Sequence, residues 1–292
     1  MNPLSLRERV GVRGAIVGVL LLSALPANAL DSPTYLGPAP PKEVRRVITL
    51  APSLSEVVVA LGATERLVGV SRFDELPQVA PLPRVGGFID PSVEKVVSLR
   101  PDLVLVQPAP GNEAPVRKMA ELGVPVLALP MHSVASTCTA LREVGRALGL
   151  SGRAEKLVQA LEETRAQVRA RAAKLPQRKV LFVVEFSPLV VAGPGSFADE
   201  LLADAGATNA AADARSPFTV YSVESALKAK PDVVVDGAHQ SQGAQKLRAL
   251  PGLAKARWVK LPSQDLLHPG PSLGRGLWEL FFLLHPETKE ER

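Results

Sequence analysis

Residues able to do covalent chemistry are few in this chain and thinly spaced. Gly270-Pro271-Ser272-Leu273-Gly274 fits G-x-S-x-G, the turn that presents a nucleophilic serine after a strand. Such a hydrolase needs an acid and then a histidine later in the chain, yet only Glu279, His285 and the tail carboxylates follow Ser272. Residues 266–271 also read as loop, so the segment is expected to turn into a final amphipathic helix with Trp278 and Phe281 in the core. No enzyme is expected. His132, His239 and His268, with Asp265, have donor atoms suited to zinc or manganese, but none shows the tight H-x₃₋₅-H spacing, and no metal site is expected. Cys138 is the sole cysteine, which excludes a disulfide framework within the chain. No P-loop, G-x-G-x-x-G or C-x-x-C is present, so neither nucleotide chemistry nor a bound cofactor has support.

Non-covalent binding is the chemistry left, and it depends on what positions the side chains. From Val44 onwards, short Val/Leu/Ile runs alternate with amphipathic helical stretches, the pattern of parallel α/β units. Strands are expected at 47–50, 67–70, 103–106 and 126–129, then at 179–184, 190–192, 233–235 and 258–260. Helices are expected after Pro52, Asp90, Glu113 and Ser133, then after Ser196, Ser222, Gly243 and Leu273. Ser92-Val93-Glu94 leading to Pro101-Asp102 recurs as Ser222-Val223-Glu224 leading to Pro231-Asp232, at a constant offset of 130 residues. Upstream, Ser53-Leu54-Ser55-Glu56 running to Gly62-Ala63-Thr64 is echoed by Ser196-Phe197-Ala198-Asp199 running to Gly206-Ala207-Thr208. Matched motifs in the same order imply two lobes of related topology.

Between the copies, residues 151–174 contain no Pro and are strong helix formers, with Ser151 as the expected N-cap and Pro176 as the stop. A helix of that length spans about 36 Å and is expected to be a rigid connector. The expected fold is therefore α/β: two similar lobes, at 44–150 and 178–286, each with a largely parallel central sheet, joined by one long helix over 151–177. Ligands of open α/β lobes bind beyond the carboxyl ends of the strands. That rule places Ser53, Phe73, Phe88, Gln107 and His132 on one wall, and Glu185, Phe186, Phe218, His239 and Asp265 on the other. Aromatic faces with a few polar groups suit a large, partly apolar organic ligand held between lobes.

The chain has 292 residues, 46% hydrophobic and 22% charged, enough for two cored domains. Its 34 Lys and Arg against 29 Asp and Glu are dispersed, which gives no electrostatic footprint for nucleic acid. Arg7, Arg9 and Arg13 precede an apolar stretch from Gly14 to Leu25 and an A-x-A site at Ala27–Ala29, the signature of a cleaved secretory signal over 1–29. Removing those residues lowers the formal charge from +5 to +3. No cysteine lies near the cleavage site, so a free periplasmic monomer is expected. Residues 30–43, rich in proline, are expected to be a flexible leader, and 287–292 a charged tail.

The segments RRVITLAPSLSEVVVALGATERLVGVSRFDELP, VGGFIDPSVEKVVSLRPDLVLV and LGVPVLALP resemble the helical-backbone class of periplasmic binding proteins of ABC importers, which serve vitamin B12, ferric siderophores and haem. The resemblance covers about Val44 to His285. Within the class the nearest likeness is to the cobalamin-binding subgroup, through Arg72-Phe73-Asp74 and through Val85-Gly86-Gly87 before the Pro-x-x-Glu helix. It implies a corrinoid ligand sandwiched by aromatic residues of both lobes, with Phe73, Phe88 and Phe218 at or near matching positions, Phe186 placed approximately and Asp265 near an acidic ligand contact. Gln107 and the phenylalanines depart from the tryptophans and tyrosines of that subgroup. The resemblance also implies that Glu94 and Glu224, one per lobe, dock onto arginines of an inner-membrane permease dimer.

Overall fold

The computed structural model describes residues 32–238 and 243–291. The expected signal sequence and His239 lie outside the described residues.

The first lobe forms because its apolar runs are buried on both faces. β2 (Val47–Thr49), β4 (Leu103–Val106) and β5 (Val126–Ala128) are fully buried, and β3 (Leu67–Gly69) nearly so. Continuous apolar runs of this kind suit parallel strands covered by helices on both sides. The sheet order is β1-β5-β4-β2-β3, with β2 to β5 parallel. The covering helices are α1 (Pro52–Ala60), α2 (Val93–Ser98), α3 (Glu113–Glu121) and α4 (Val134–Ala147). The expected flexible leader is corrected here, since β1 (Thr34–Leu36) pairs antiparallel with β5, Tyr35 opposite Leu127. Its backbone covers a sheet edge that would otherwise be unpaired.

The second lobe repeats the plan with an addition. β6 (Arg178–Phe186), β8 (Ala207–Asn209), β10 (Val233–Asp236) and β11 (Arg257–Lys260) are parallel. β7 (Leu189–Ala192) folds back on β6, and β9 (Phe218–Val220) pairs antiparallel with β7 at the edge. Helices α6 (Phe197–Asp204), α7 (Val223–Ala229), α8 (Ala244–Arg248) and α9 (Leu273–Leu284) complete it.

The sequence repeat is a structural one. Ser92 caps α2 by accepting from the Lys95 N–H, and Ser222 caps α7 by accepting from the Ser225 N–H. A left-handed non-glycine residue follows each helix, Arg100 (φ 46°) one position beyond the cap of α2 and Lys230 (φ 47°) as the cap of α7. Asp102 Oδ2 then accepts from the Arg46 N–H at 2.9 Å, and Asp232 Oδ2 from the Lys179 N–H at 2.7 Å, so each aspartate ties the start of one strand to its neighbour. The upstream echo holds at its glycines, with a one-residue shift in register before them: Gly62 and Gly206, both left-handed, follow α1 and α6 and lie 144 positions apart, which sets Glu56 against Glu200 rather than against the Asp199 of the sequence motif.

The connector α5 (Ser151–Ala172) packs against α4 of the first lobe and against α6 and α9 of the second. Ala154, Val158, Leu161, Val168 and Ala172 bury its inner face in one continuous core with residues of both lobes. The expected cap is corrected: Leu150 is the N-cap and Ser151 the first helical residue, with no side-chain cap bond. Arg153, in the first turn, donates instead to the carbonyl of Leu61 at 2.8 Å. Among the described residues no helix is long and apolar enough to cross a membrane.

Candidate functional site

In the first lobe, β2 runs into α1 through Pro52 at its first position, which leaves Ser53 at the head of the helix above the strand ends. Ser53 Oγ is 3.4 Å from Gln107 Oε1, at the end of β4. Beneath them, Ser55 Oγ lies 2.5 Å from Thr49 Oγ1 and donates to Asp74 Oδ2 at 3.0 Å. Asp74 is 4% exposed and its Oδ1 has no hydrogen-bond partner. Burial pushes its carboxyl up to about 6, against the opposing pull of Ser55 and Arg84. The Asp74 N–H donates to the Ser71 carbonyl and the Phe73 N–H to Ser71 Oγ, a tight turn that holds Phe73 outwards, 53% exposed. The Arg72 guanidinium sits 4.8 Å from the centre of that ring while pairing with Asp90 at 2.8 Å. Phe88 is half-buried against the core. The buried Asn112 amide donates to the carbonyls of Phe88 at 3.1 Å and Gln107 at 2.9 Å, binding these two loops together.

The second wall is less uniform. Phe218 projects from the edge strand β9, partly exposed, and packs 5.4 Å from Phe197. Phe186 is 5% exposed and stacks on Trp258 at 6.2 Å, so its ring belongs to the lobe's own core and leaves little face for a ligand. Glu185 accepts from the Phe186 N–H at 2.8 Å, a local turn contact. Asp265 is held by Arg275, whose Nη2 donates to Oδ1 at 2.8 Å and whose Nε bonds the other oxygen. Most of the Arg275 side chain remains exposed beside it.

Two contacts close the seam between the lobes. Glu56 of α1 accepts from the Ser272 N–H at 2.7 Å and from Ser272 Oγ at 3.1 Å, at the head of α9. Gly270 permits this approach, because a Cβ there would lie 2.8 Å from Glu56 Oε2. The G-x-S-x-G serine therefore follows a loop rather than a strand and starts a helix, with its N–H and hydroxyl both given to Glu56 across the seam. Burial raises the Glu56 carboxyl, with nearby Asp265 adding to the rise, while the Ser272 bonds and Arg275 oppose it. At the other contact, Glu200 of α6 accepts from the Val134 N–H at 3.0 Å, at the head of α4, and the Phe197 N–H donates to the His132 carbonyl at 2.7 Å.

The expected residues thus gather in two places. Ser53, Gln107 and Asp265 lie at the Glu56 end of the seam, and His132 and Phe218 at the Glu200 end, with Phe73 and Phe88 on first-lobe loops. Glu94 and Glu224 are exposed at the second positions of α2 and α7, Glu224 paired with Lys228 at 2.7 Å. Arg72, Asn112, Glu56 and Arg275 were not singled out for function from the sequence. The Ser-x-x-Glu of α1 is a sequence signal that belongs to the repeat. Among the described residues no group of three His, Cys, Asp or Glu side chains could hold a metal. A cavity of about 190 Å³ lined by Arg178, Asp232 and Arg257 lies at the opposite, N-terminal ends of the second lobe's strands and is too small for a macrocycle.

The sequence profile of the periplasmic binding protein family matches residues 47–260. A vitamin B12-binding protein of Yersinia pseudotuberculosis is 30% identical over 237 residues, covering 79% of this chain and 78% of that one. An uncharacterised ABC transporter substrate-binding lipoprotein of Bacillus subtilis is 28% identical over 266 residues, covering 86% and 83%. The crystal structure of a periplasmic haem-binding protein from Pseudomonas aeruginosa superposes with a TM-score of 0.73 at 31% identity, covering 83% of this chain and 93% of that one. These are ligand carriers rather than enzymes. With two α/β lobes, a helical connector and polar and aromatic loops at the seam between them, the chain belongs to the periplasmic binding protein family, the solute-binding components of ABC importers.

Proposed function

We propose that the chain captures a corrinoid ligand between its lobes and delivers it to an inner-membrane ABC permease. Ser53, Gln107 and Asp265 supply polar contacts, and Phe73, Phe88 and Phe218 supply apolar faces; Phe186 acts only as support behind its wall. Mature protein released into the periplasm after cleavage near Ala29 would act as a monomer.

The state of the tyrosines favours a corrinoid over a haem held by tyrosine. A haem carrier holds iron through an available Tyr or His. Tyr35 sits in strand β1, and Tyr221 is 7% exposed with its hydroxyl donating to Asp213 at 2.6 Å. Neither hydroxyl is offered by a residue expected to face the ligand, where Phe73 stands, so an iron ligand would have to be a histidine such as His132, exposed at the Glu200 end of the seam. The relatives named for vitamin B12 and for haem support the class of both readings. Absorbance titration of purified protein with cyanocobalamin, haemin and a ferric siderophore separates them. Saturation by cyanocobalamin near one equivalent supports the reading, and saturation by haemin alone overturns it.

Glu94 and Glu224 are proposed as the permease contacts. They occupy equivalent places one residue inside Ser-capped helices, one per lobe, so a two-fold partner would meet an acid from each. Charged rim contacts of this kind set register and association rate and weaken with salt. The Glu94→Ala, Glu224→Ala double variant is expected to bind ligand normally and to fail in uptake.

A further inference from the structure

We infer that Glu56 and Glu200 form a reciprocal pair of interlobe latches that set the width of the binding cleft. The proposal rests on the reading that the ligand is held between the lobes. The two glutamates correspond when α1 and α6 are aligned on the left-handed glycines that follow them, each lying six positions before Gly62 or Gly206. Each carboxylate leaves its own lobe and accepts backbone N–H bonds at the head of a long helix of the other: Glu56 at α9, 2.7 Å from the Ser272 nitrogen, and Glu200 at α4, 3.0 Å from the Val134 nitrogen. α4 and α9 are themselves equivalent, each following the last parallel strand of its lobe, β5 or β11. The contacts therefore cross the seam in both directions, as a two-fold arrangement of duplicated lobes requires. A carboxylate on a helix head makes charge-assisted bonds to N–H groups that have no intrahelical partner, so the attraction is directional and falls off within a turn.

Purely local capping does not explain this pattern. α4 already has a complete capping box from Ser133 and Ser136, so Glu200 adds a bond that its stability does not need. α9 lacks a side-chain cap bond at its own Ser272, whose hydroxyl is given to Glu56 instead. The latches also flank the expected ligand residues: a Cβ at Gly270 would lie 3.8 Å from the Ser53 carbonyl beside one, and the His132 carbonyl is bonded beside the other. They differ in restraint. Glu200 Oε2 is 3.4 Å from Arg165 Nη2 of the connector, whereas Glu56 is held by Ser272 and influenced by Asp265 and Arg275, all in the second lobe. The Glu56 latch is thus the one free to release without disturbing α5. Both residues are positioning residues, acting on the ligand through the spacing of the walls.

The test measures spacing directly, on the whole mature protein without ligand. Spin labels at Glu121→Cys in α3 and Lys228→Cys in α7, in a Cys138→Ser background, report the interlobe distance. Wild type is expected to give one narrow distribution, and Glu56→Ala, Glu200→Ala a broadened one with a longer component at unchanged secondary structure. Glu56→Gln alone is expected to broaden it in the same direction, and it serves where the double variant does not fold. Cyanocobalamin should dissociate about tenfold faster from the Glu56→Gln variant. An unchanged distance distribution in either variant overturns the proposal, leaving the pair as stabilising contacts only. Failure of cyanocobalamin to bind wild type would overturn the ligand reading while the distance result stood by itself.

Discussion

α1 and α6 are one helix of the repeat in two settings, and they meet the connector differently. In the second lobe, Asp204 at the end of α6 is almost fully buried, 3.0 Å from Arg169 and bonded through Arg165 Nε at 2.5 Å. In the first lobe, Ala60 stands at the corresponding end of α1, and the grip on α5 passes through Arg153 to the Leu61 carbonyl and through Arg142 paired with Glu155 at 2.8 Å. One lobe holds the rod by buried charge, the other by a carbonyl and an exposed ion pair. The lobes share a scaffold, and their contacts to the connector differ.

The sharpest way to break this comparison is Asp204→Ala. It leaves Arg165, whose side chain is 14% exposed, without its main partner, and removing one member of a buried pair costs about 3 kcal/mol or more. Urea unfolding should show that loss, and an effect near zero would make the two grips equivalent. Second is Asp74, peculiar to the first lobe. Its folded carboxyl titrates at about 6 against an ordinary 3.8, so its contribution is complete below about pH 3.8 and is lost as pH rises through 6. Asp74→Asn should raise stability at pH 7.5 by at most about 3 kcal/mol and leave stability at pH 3.5 nearly unchanged. A variant that parallels wild type across that range would place the titration elsewhere.

Third, the two walls should respond differently to loss of an aromatic ring. Phe88→Ala is expected to weaken cyanocobalamin binding by about 2 kcal/mol, whereas Phe186→Ala should act mainly on stability because its ring stacks on Trp258. Equal effects on binding would place both rings against the ligand. The smallest effect belongs to Arg153→Ala, which removes a bond to the Leu61 carbonyl and a longer one to the Gly62 carbonyl and should cost about 1 kcal/mol in urea unfolding.

The strands built on Val and Leu runs were legible because parallel strands buried on both faces need such runs, and the two lobes followed from Ser-Val-Glu and Pro-Asp recurring in order. β1 was not, since Thr34-Tyr35-Leu36 sits among prolines and shows its strand character only through the distant Leu127. β9 is three residues long, two of them exposed, and gives no alternation to count. The place of Phe186 at the end of a strand predicts a ligand contact, whereas its ring stacks on Trp258, far along the chain. The same distance hid the seam: Glu56 and Ser272 are 216 positions apart, and neither residue type announces the other. Local pattern specifies elements, and it carries little information on which element faces which.

α5 is also a lever. Its 22 residues make a rod of about 33 Å, so a lobe swinging about one end by a single degree moves the far end by about 0.6 Å. A hydrogen bond loses its geometry over a few tenths of an ångström beyond its usual length. Angular play of one or two degrees in the connector would therefore already exceed what contacts at the far lobe tolerate, and a ligand held as proposed between the lobes would meet that tolerance as a selectivity for its thickness.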